Sequence, residues 1–382
     1  MEDKTFTRRD FLRISAAVGL GQFAIGGPAF GQSDRLRVGC IGVGNRGTVL
    51  LNELLALGNV DILAISDIAP DNLNKAVAAV EKDQGRKPDT YGKNDRDYRN
   101  LLARTDIDAV VIATPCYWHG AMSIDSYAAG KHFYGEKPLS ISIKEGKTIL
   151  QAEHQNPKIV GQIGCQRRTD PRYIESIKLL QAGEVGPLVE GRAAWDNAWG
   201  PLRGWFAQRK YSGDWMLEQA IHTWDVYNWL LGSRPVRAFG TGRKDIFQEE
   251  GRDVTDYYTA TIEWENGFTL MFHHSWICPN TDAFKGTYER VAGPKGGCEL
   301  GLGKFTYKMK DDPKVTPTVK EVGSIANNTR DLLANFFNCI KLGTKPISGV
   351  RTAYDAVLTG LLVRAAVDKG GIVTMEELLA AG

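Results

Sequence analysis

Glu218, His222 and Asp225 stand at i, i+4 and i+7, with Trp229 at i+11, so on a helix the four share one face. A carboxylate–imidazole–carboxylate line suits acid–base work. Glu218 can orient His222, whose ordinary pKa of about 6.5 lets it take and return protons at neutral pH. Leu217, Ile221, Trp224 and Leu231 form a neighbouring apolar stripe that would anchor the helix. Lys137 is the other candidate, in Glu136-Lys137-Pro138 directly after the short run His132 to Gly135. That run reads as a parallel strand, and ligands of open α/β sheets gather at the carboxyl ends of such strands. Burial there would lower the lysine's pKa, so that it polarises a substrate hydroxyl or shares its proton.

The apolar run Val38 to Ile41 enters a turn with Gly42, Gly44 and Gly47 at G-x-G-x-x-G spacing, enclosing Asn45 and Arg46, and a helix-like run follows. In a dinucleotide site the first glycine permits the tight turn and the second lets the backbone approach a pyrophosphate. The third lets helix and strand pack closely, and the helix start offers N–H groups to the phosphates. Twenty residues after Gly47, Asp67 closes a second apolar run, Val60 to Ser66. An acid there is expected to bond the ribose hydroxyls of NAD and to repel the 2′-phosphate of NADP. Arg46 could reach such a phosphate, so the sequence favours NAD without excluding NADP. A positive nicotinamide near Lys137 would lower the lysine's pKa further.

The first 31 residues read as a leader. Thr7-Arg8-Arg9-Asp10-Phe11-Leu12-Arg13 is a twin-arginine pattern, Ile14 to Ile25 is mildly apolar, and Ala29-Phe30-Gly31 places small residues at a cleavage site. The apolar run is shorter than the roughly 20 residues of a membrane span. The pattern resembles a Tat signal, which implies passage through the Tat translocase to the periplasm with the protein already folded. An exported enzyme meets no replenished pool of NAD, so the cofactor is expected to be tightly bound and recycled in place. About 350 residues remain, enough for two domains: a nucleotide-binding domain over 35–155 and a substrate-binding, oligomer-forming domain over 156–382. A net charge of +2 with interspersed signs argues against a nucleic-acid binder. Six cysteines include no C-x-x-C pair, no zinc-ligand spacing is present, and no metal is expected. A buried free thiol is expected at Cys40, and only Cys278 and Cys298 are placed where a bridge could form.

From Leu36 to about Gln155 strand and helix patterns alternate, which predicts a doubly wound parallel sheet. Asp108 to Ala113 is a continuous apolar run ending at Thr114-Pro115. Ser142 predicts the start of a helix over 143–154, and Asp170-Pro171 of one ending at Gly183. Beyond these come a strand over 188–194, an aromatic loop from Trp195 to Gly213, and one helix over 214–231. Two strands flank the hairpin signal Asn266-Gly267, and two helices, 329–341 and 350–369, follow. The second domain is therefore expected to be α+β, with a large, mostly antiparallel open sheet. His273 and His274 point to opposite faces of a strand and are read as structural.

The glycine loop, Thr114-Pro115-Cys116-Tyr117-Trp118-His119, Ala129-Gly130-Lys131-His132, Glu136-Lys137-Pro138-Leu139 and Glu218 to Asp225 occur in an order that resembles the Gfo/Idh/MocA family of glucose–fructose oxidoreductase and inositol dehydrogenase. The likeness runs over nearly the whole chain after the leader. It implies that Lys137 is catalytic, that His222 and the acid four residues before it complete the site, and that Asp225 supports them. The family's aspartate is Glu218 here, and Cys116 stands where the family often has asparagine beside the nicotinamide. Thr114, Pro115, Glu136 and His119, the last near the cofactor ribose, fall on the cofactor side. The resemblance also implies sugar or polyol substrates and homodimers or tetramers joined through the C-terminal sheet. Trp195, Trp205 and Tyr211 of the aromatic loop are suited to stacking on sugar rings. Two activities are compatible with these residues. One is a sugar oxidoreductase with retained NAD. The alternative is a glycosidase that transiently oxidises its sugar, eliminates the aglycone, adds water and returns the hydride; two carboxylates flanking the bond are then not needed.

Overall fold

The computed structural model describes residues 35–307 and 318–382, so the leader expected over 1–31 lies outside the described residues. Strands β1 (Leu36–Ile41), β2 (Val60–Ser66), β3 (Asp89–Tyr91), β4 (Ala109–Ile112), β5 (His132–Gly135) and β6 (Gly161–Ile163) pair in the order β3-β2-β1-β4-β5-β6. Every pairing is parallel. All four residues of β4 are buried, as a strand covered on both faces requires. Helices α1 (Asn45–Leu57), α2 (Pro70–Gln84), α3 (Tyr98–Leu102), α4 (Cys116–Ala128) and α5 (Ile143–Gln155) make the crossovers. The strand order reverses between β1 and β4, which opens a crevice at their carboxyl ends. The glycine loop and Thr114-Pro115 stand there.

Helix α6 (Pro171–Gln181) starts as its sequence predicts: Pro171 is its first residue and the Asp170 side chain accepts from the Arg172 N–H. Ser142 caps α5 in the same way, accepting from the Glu145 N–H. Strands β7 (Glu190–Asp196), β8 (Arg237–Arg243), β9 (Tyr257–Glu263), β10 (Thr269–Ser275), β11 (Gly286–Gly293), β12 (Gly296–Glu299), β13 (Lys304–Tyr307), β14 (Thr318–Glu321) and β15 (Ile372–Thr374) form a second sheet, ordered β14-β13-β12-β11-β7-β10-β9-β8-β15. It is antiparallel except where β10 runs parallel to β7. The Asn266-Gly267 turn joins β9 to β10, as expected. The α/β and α+β halves predicted from the sequence are both present.

Two boundaries differ from expectation. The first sheet runs past residue 155, because β6 lies at 161–163. The expected helix over 214–231 is broken. After the single turn α7 (Arg209–Ser212), a four-residue helix α8 (Trp215–Glu218) is separated from α9 (Ile221–Leu231) by Gln219 and Ala220. The N–H groups of both Gln219 and Ala220 reach the Trp215 carbonyl, at 3.2 and 3.0 Å, and the next two bonds span only three residues. The helical ladder slips there, as at many functional sites. Beyond it α10 (Asn328–Leu342) packs Leu332, Leu333, Phe336 and Phe337 into the core beside β1, β2 and β4. It therefore covers the first sheet although it lies in the second half of the chain. Helix α11 (Val350–Lys369) is buried along most of its length, and α12 (Met375–Ala381) closes the chain with a capping box at Thr374.

All six cysteines are free thiols, so Cys278 and Cys298 do not pair. Among the described residues no group of His, Cys, Asp or Glu is placed to hold a metal ion, and no helix is long and apolar enough to cross a membrane.

Candidate active site

The glycine loop fits a dinucleotide by geometry as well as by spacing. Gly42 has φ +81°, and a Cβ on it would lie 2.8 Å from the Ala113 carbonyl oxygen. A Cβ on Gly47 would lie 2.1 Å from the Gly42 carbonyl oxygen, so the helix can pack this closely only without one. Gly44 is different: its Cβ would meet only Asn72 Nδ2, at 3.6 Å. It stands at the N-cap of α1, where no side chain satisfies the first N–H groups, those of Asn45, Arg46 and Gly47. An uncapped 13-residue helix facing open space is what a pyrophosphate needs.

The acid and base around this loop are tied differently from expectation. Asp67 braces the loop: its Oδ2 accepts from the Val43 N–H (2.7 Å) and its Oδ1 from the Ala69 N–H (2.8 Å). Its remaining lone pairs have no partner among the described residues and are free to accept further hydrogen bonds. Arg46 is committed to protein partners. Its Nε donates to Glu136 Oε1 (2.8 Å) and its terminal nitrogens reach Thr329 Oγ1, because Glu136 is buried and needs a cation. Glu136 thereby anchors the loop. Thr114 donates to Met122 Sδ (3.4 Å), and Pro115 is the N-cap of α4. His119, expected near the cofactor ribose, is a buried residue. It is 3 % exposed, and its ring nitrogens lie 2.8 and 2.7 Å from the Pro138 and Thr114 carbonyls. Burial lowers its pKa; it staples the β4 and β5 loops together.

At the end of β5, Lys137 Nζ donates to Glu218 Oε1 (2.8 Å) and to the Glu218 main-chain carbonyl. The slipped ladder turns Glu218 toward the lysine instead of toward His222, so the expected Glu218–His222 pairing is not made. The electrostatics change accordingly. Burial pushes the Lys137 pKa down, but Glu218, with smaller contributions from Cys116 and Glu136, more than offsets it, and the net shift is upward. The expected depressed lysine is therefore a held ammonium ion. His222 is shifted the other way, well below its ordinary value, by burial first and then by Lys137, Arg167 and Arg46. It is a neutral imidazole stacked on Trp195, with ring centroids 5.8 Å apart and planes 20° apart. Glu218 Oε2 and His222 Nδ1 are both buried without a hydrogen-bond partner. Two such atoms in one cluster point to a ligand that completes them.

Of the residues assigned to substrate, Trp195 reaches this cluster and Asp225 does not. Asp225 is 1 % exposed and receives Arg168 Nε and Nη2 at 2.8 to 3.0 Å, a fixed bidentate pair behind the site. Trp205 stacks on Phe206 at 3.8 Å, and Tyr211 packs on Tyr117 at 4.7 Å. His273 bonds Asp196 and His274 bonds Tyr258, consistent with structural roles. Sequence reasoning missed two groups. Arg167 pairs with the buried Glu289, which also accepts from Thr223 Oγ1 and Tyr173 OH, and its guanidinium lies 5.3 Å from the Trp195 ring. Asp214, at φ +73°, caps α8. The signal for Arg167 was its place just after β6, at the same sheet edge as Lys137; Asp214 carried none.

Comparison with known proteins agrees with this architecture. Residues 36–163 match the oxidoreductase family, NAD-binding Rossmann fold, and residues 173–299 match the GFO/IDH/MocA C-terminal domain. A glycosyl hydrolase family 109 protein of Saccharopolyspora erythraea is 30% identical over 258 residues, 61% of this chain and 55% of its own. An alpha-N-acetylgalactosaminidase of Shewanella oneidensis is 34% identical over 164 residues, 42% of this chain and 35% of its own. The chain thus spans between about a third and little more than half of the curated relatives' length. A levoglucosan dehydrogenase in complex with NADH and levoglucosan superposes with a TM-score of 0.76 at 18% identity, covering 89% of this chain and 99% of that one; at that identity the likeness is one of fold. With an NAD-binding Rossmann half and the family's own C-terminal half in sequence order, the chain belongs to the Gfo/Idh/MocA family of oxidoreductases.

Proposed function

We propose that the protein is an NAD-dependent glycosidase, the alternative weighed above, rather than a net sugar oxidoreductase. The observation that carries this reading is the trio Lys137, Glu218 and His222 in a chain whose relatives at 30–34% identity are named as glycosyl hydrolases. Gly42, Gly44, Asn45, Gly47 and Asp67 would hold the dinucleotide, with Thr114 and Pro115 beside its nicotinamide end. Bound there, NAD supplies reversible acceptance of a hydride from a sugar carbon.

The chain's own residues handle the protons. The Lys137 ammonium, fixed by Glu218, donates a hydrogen bond to the reacting hydroxyl oxygen and stabilises negative charge as it develops. Neutral His222 takes the hydroxyl proton at Nδ1. Oxidation acidifies the C–H beside the new carbonyl, and Glu218 Oε2 takes that proton as the glycosidic bond breaks. The departing aglycone oxygen receives the proton held by His222. Addition of water and the reverse transfers restore the sugar hydroxyl and return every group to its starting state. Trp195 offers a flat apolar face to the sugar ring.

The net oxidoreductase uses the same residues but requires a second substrate to reoxidise the cofactor. The experiment is to give purified protein an aryl α-N-acetylgalactosaminide with no added acceptor. Release of the phenol, solvent deuterium at the carbon beside the oxidised one, and no accumulation of reduced cofactor are the expected results. Accumulated reduced cofactor without phenol would return the reading to the oxidoreductase. The twin-arginine pattern supports export by the Tat route. The open sheet face, where Phe239 and Met271 are exposed, supports assembly into dimers or tetramers.

A further inference from the structure

An open, solvent-facing cavity of about 650 Å³ lies between the starts of α4 and α5, α7 and the C-terminal half of α11. Its lining carries three cations, Arg209, Lys210 and Arg364, and three carboxylates, Glu145, Asp253 and Asp368. Arg364 on α11 donates to the Gly213 carbonyl (3.0 Å), and among the described residues no carboxylate is paired with it. Two of the acids on the same wall are engaged by Arg209. Both Asp368 oxygens accept from Arg209 Nη1 (2.8 and 2.9 Å), and Asp253 Oδ1 accepts from the Arg209 main-chain N–H (2.6 Å). Glu145 is packed against Gly120, where even one added carbon would collide with its carboxyl group. Arg209 is itself committed to Asp214 and Asp368. Burial, then Arg209, pushes the Arg364 pKa down, against a weaker pull from Asp214 and Asp368.

Two further features favour a negative guest. Lys210 lies 4.6 Å over the Tyr211 ring and lines the same wall. The first turn of α5, with Ser142 at its cap, turns its positive dipole end to the cavity rim. Tyr117 and Tyr211, 4.7 Å apart, supply aromatic surface at one side.

We propose that this cavity binds an anionic group, a carboxylate or a sulfate, on the free donors of Arg364 with Lys210 beside it. A planar guanidinium with unused N–H groups is shaped for two parallel bonds to such an oxyanion. The anion can be the acid group of a sugar unit or a free inorganic ion. The assignment stands apart from the glycosidase reading, since it concerns binding alone.

The test is calorimetric titration of the full chain with sodium sulfate, sodium glucuronate and glucose at constant ionic strength. Both anions are expected to saturate one site and glucose to give no heat. Arg364→Met and, separately, the surface change Lys210→Met are each expected to weaken anion binding about tenfold or more. Tighter binding of glucuronate than of sulfate assigns the site to an acidic sugar; equal or weaker binding assigns it to a free anion. Lys210→Met gives the reading even if Arg364→Met does not fold. Absence of saturable binding by the wild type, or unchanged binding in the folded variants, overturns the proposal.

Discussion

Lys137 Nζ stands 2.8 Å from Glu218 Oε1 although the two are 81 residues apart, one at the end of a parallel strand and one on a four-residue helix. Neither side chain is much exposed, at 15% and 9%, so each charge depends on the other. Lys137→Met leaves Glu218 buried and unpaired and is expected to cost about 3–5 kcal/mol, read as a lower Tm. Glu218→Gln added to it removes the second charge and should recover most of that loss. Aglycone release should fall by about 10²–10⁴ in both proteins. A double variant that regains activity along with stability would show the pair to be structural only.

The pH dependence has opposite signs at the two ends. Lys137 has a folded pKa raised above the ordinary lysine value of about 10.4. Its contribution to stability is fully present below that value and is lost as pH rises through the higher, folded one. His222 is depressed well below its ordinary value, so as pH falls below about 6.5 the unfolded chain takes up a proton that the folded chain does not, and stability declines. The same depression keeps His222 a free base in mildly acid solution. The acid limb of kcat/KM is expected well below pH 6.5, and Arg167→Met, which removes one cation acting on the ring, should move it upward. An unmoved limb would assign the titration to another group.

The glycine loop separates binding from folding. Gly44→Ala meets only Asn72, at 3.6 Å, whereas Gly47→Ala meets the Gly42 backbone at 2.1 Å. Gly44→Ala is expected to keep a near-native Tm and lose NAD, because the added methyl occupies the approach to the pyrophosphate. Gly47→Ala should lose stability first. Thermal melts, with mass spectrometry of the nucleotide released on denaturation, distinguish the two.

Most of the frame was legible because it rests on local pattern. Parallel strands buried on both faces read as unbroken apolar runs, and Ser142 and Asp170 announce their helices through caps that the structure forms. The pairings inside the site were not legible. The period of an intact helix placed Glu218 beside His222, and nothing local in Glu218-Gln219-Ala220-Ile221 announces the slip that turns Glu218 to Lys137. Arg46 looked like a phosphate ligand because its partner, Glu136, comes from the loop just after β5, 90 residues later. Asp225 looked available until the fold brought Arg168 against it. Charges were read correctly as charges, but their partners are set by tertiary contacts.

Asp214 shows how the broken helix is held. It sits at φ +73° and ψ 172°, an extended positive-φ backbone that essentially only glycine adopts and that costs a residue with a Cβ about 1–3 kcal/mol. Its carboxylate is fully buried and accepts from the Trp215 N–H (2.8 Å), Thr255 Oγ1 (2.9 Å) and Arg209 Nη2 (2.7 Å). Its carbonyl accepts from the Leu217 and Glu218 N–H groups, both at 3.0 Å. Asp214→Ala loses every side-chain bond and keeps the unfavourable φ, so a loss of about 3–5 kcal/mol is expected. Asp214→Gly loses the same bonds but releases the backbone. Against this, glycine adds about 0.4–1 kcal/mol of unfolded-state entropy, leaving it more stable than Asp214→Ala by up to about 2.5 kcal/mol. The order of the two Tm values is therefore the measurement: alanine at or above glycine would mean that the +73° backbone stores no strain. Both variants should also turn over more slowly than the wild type, since the helix that presents Glu218 to Lys137 loses its cap in each.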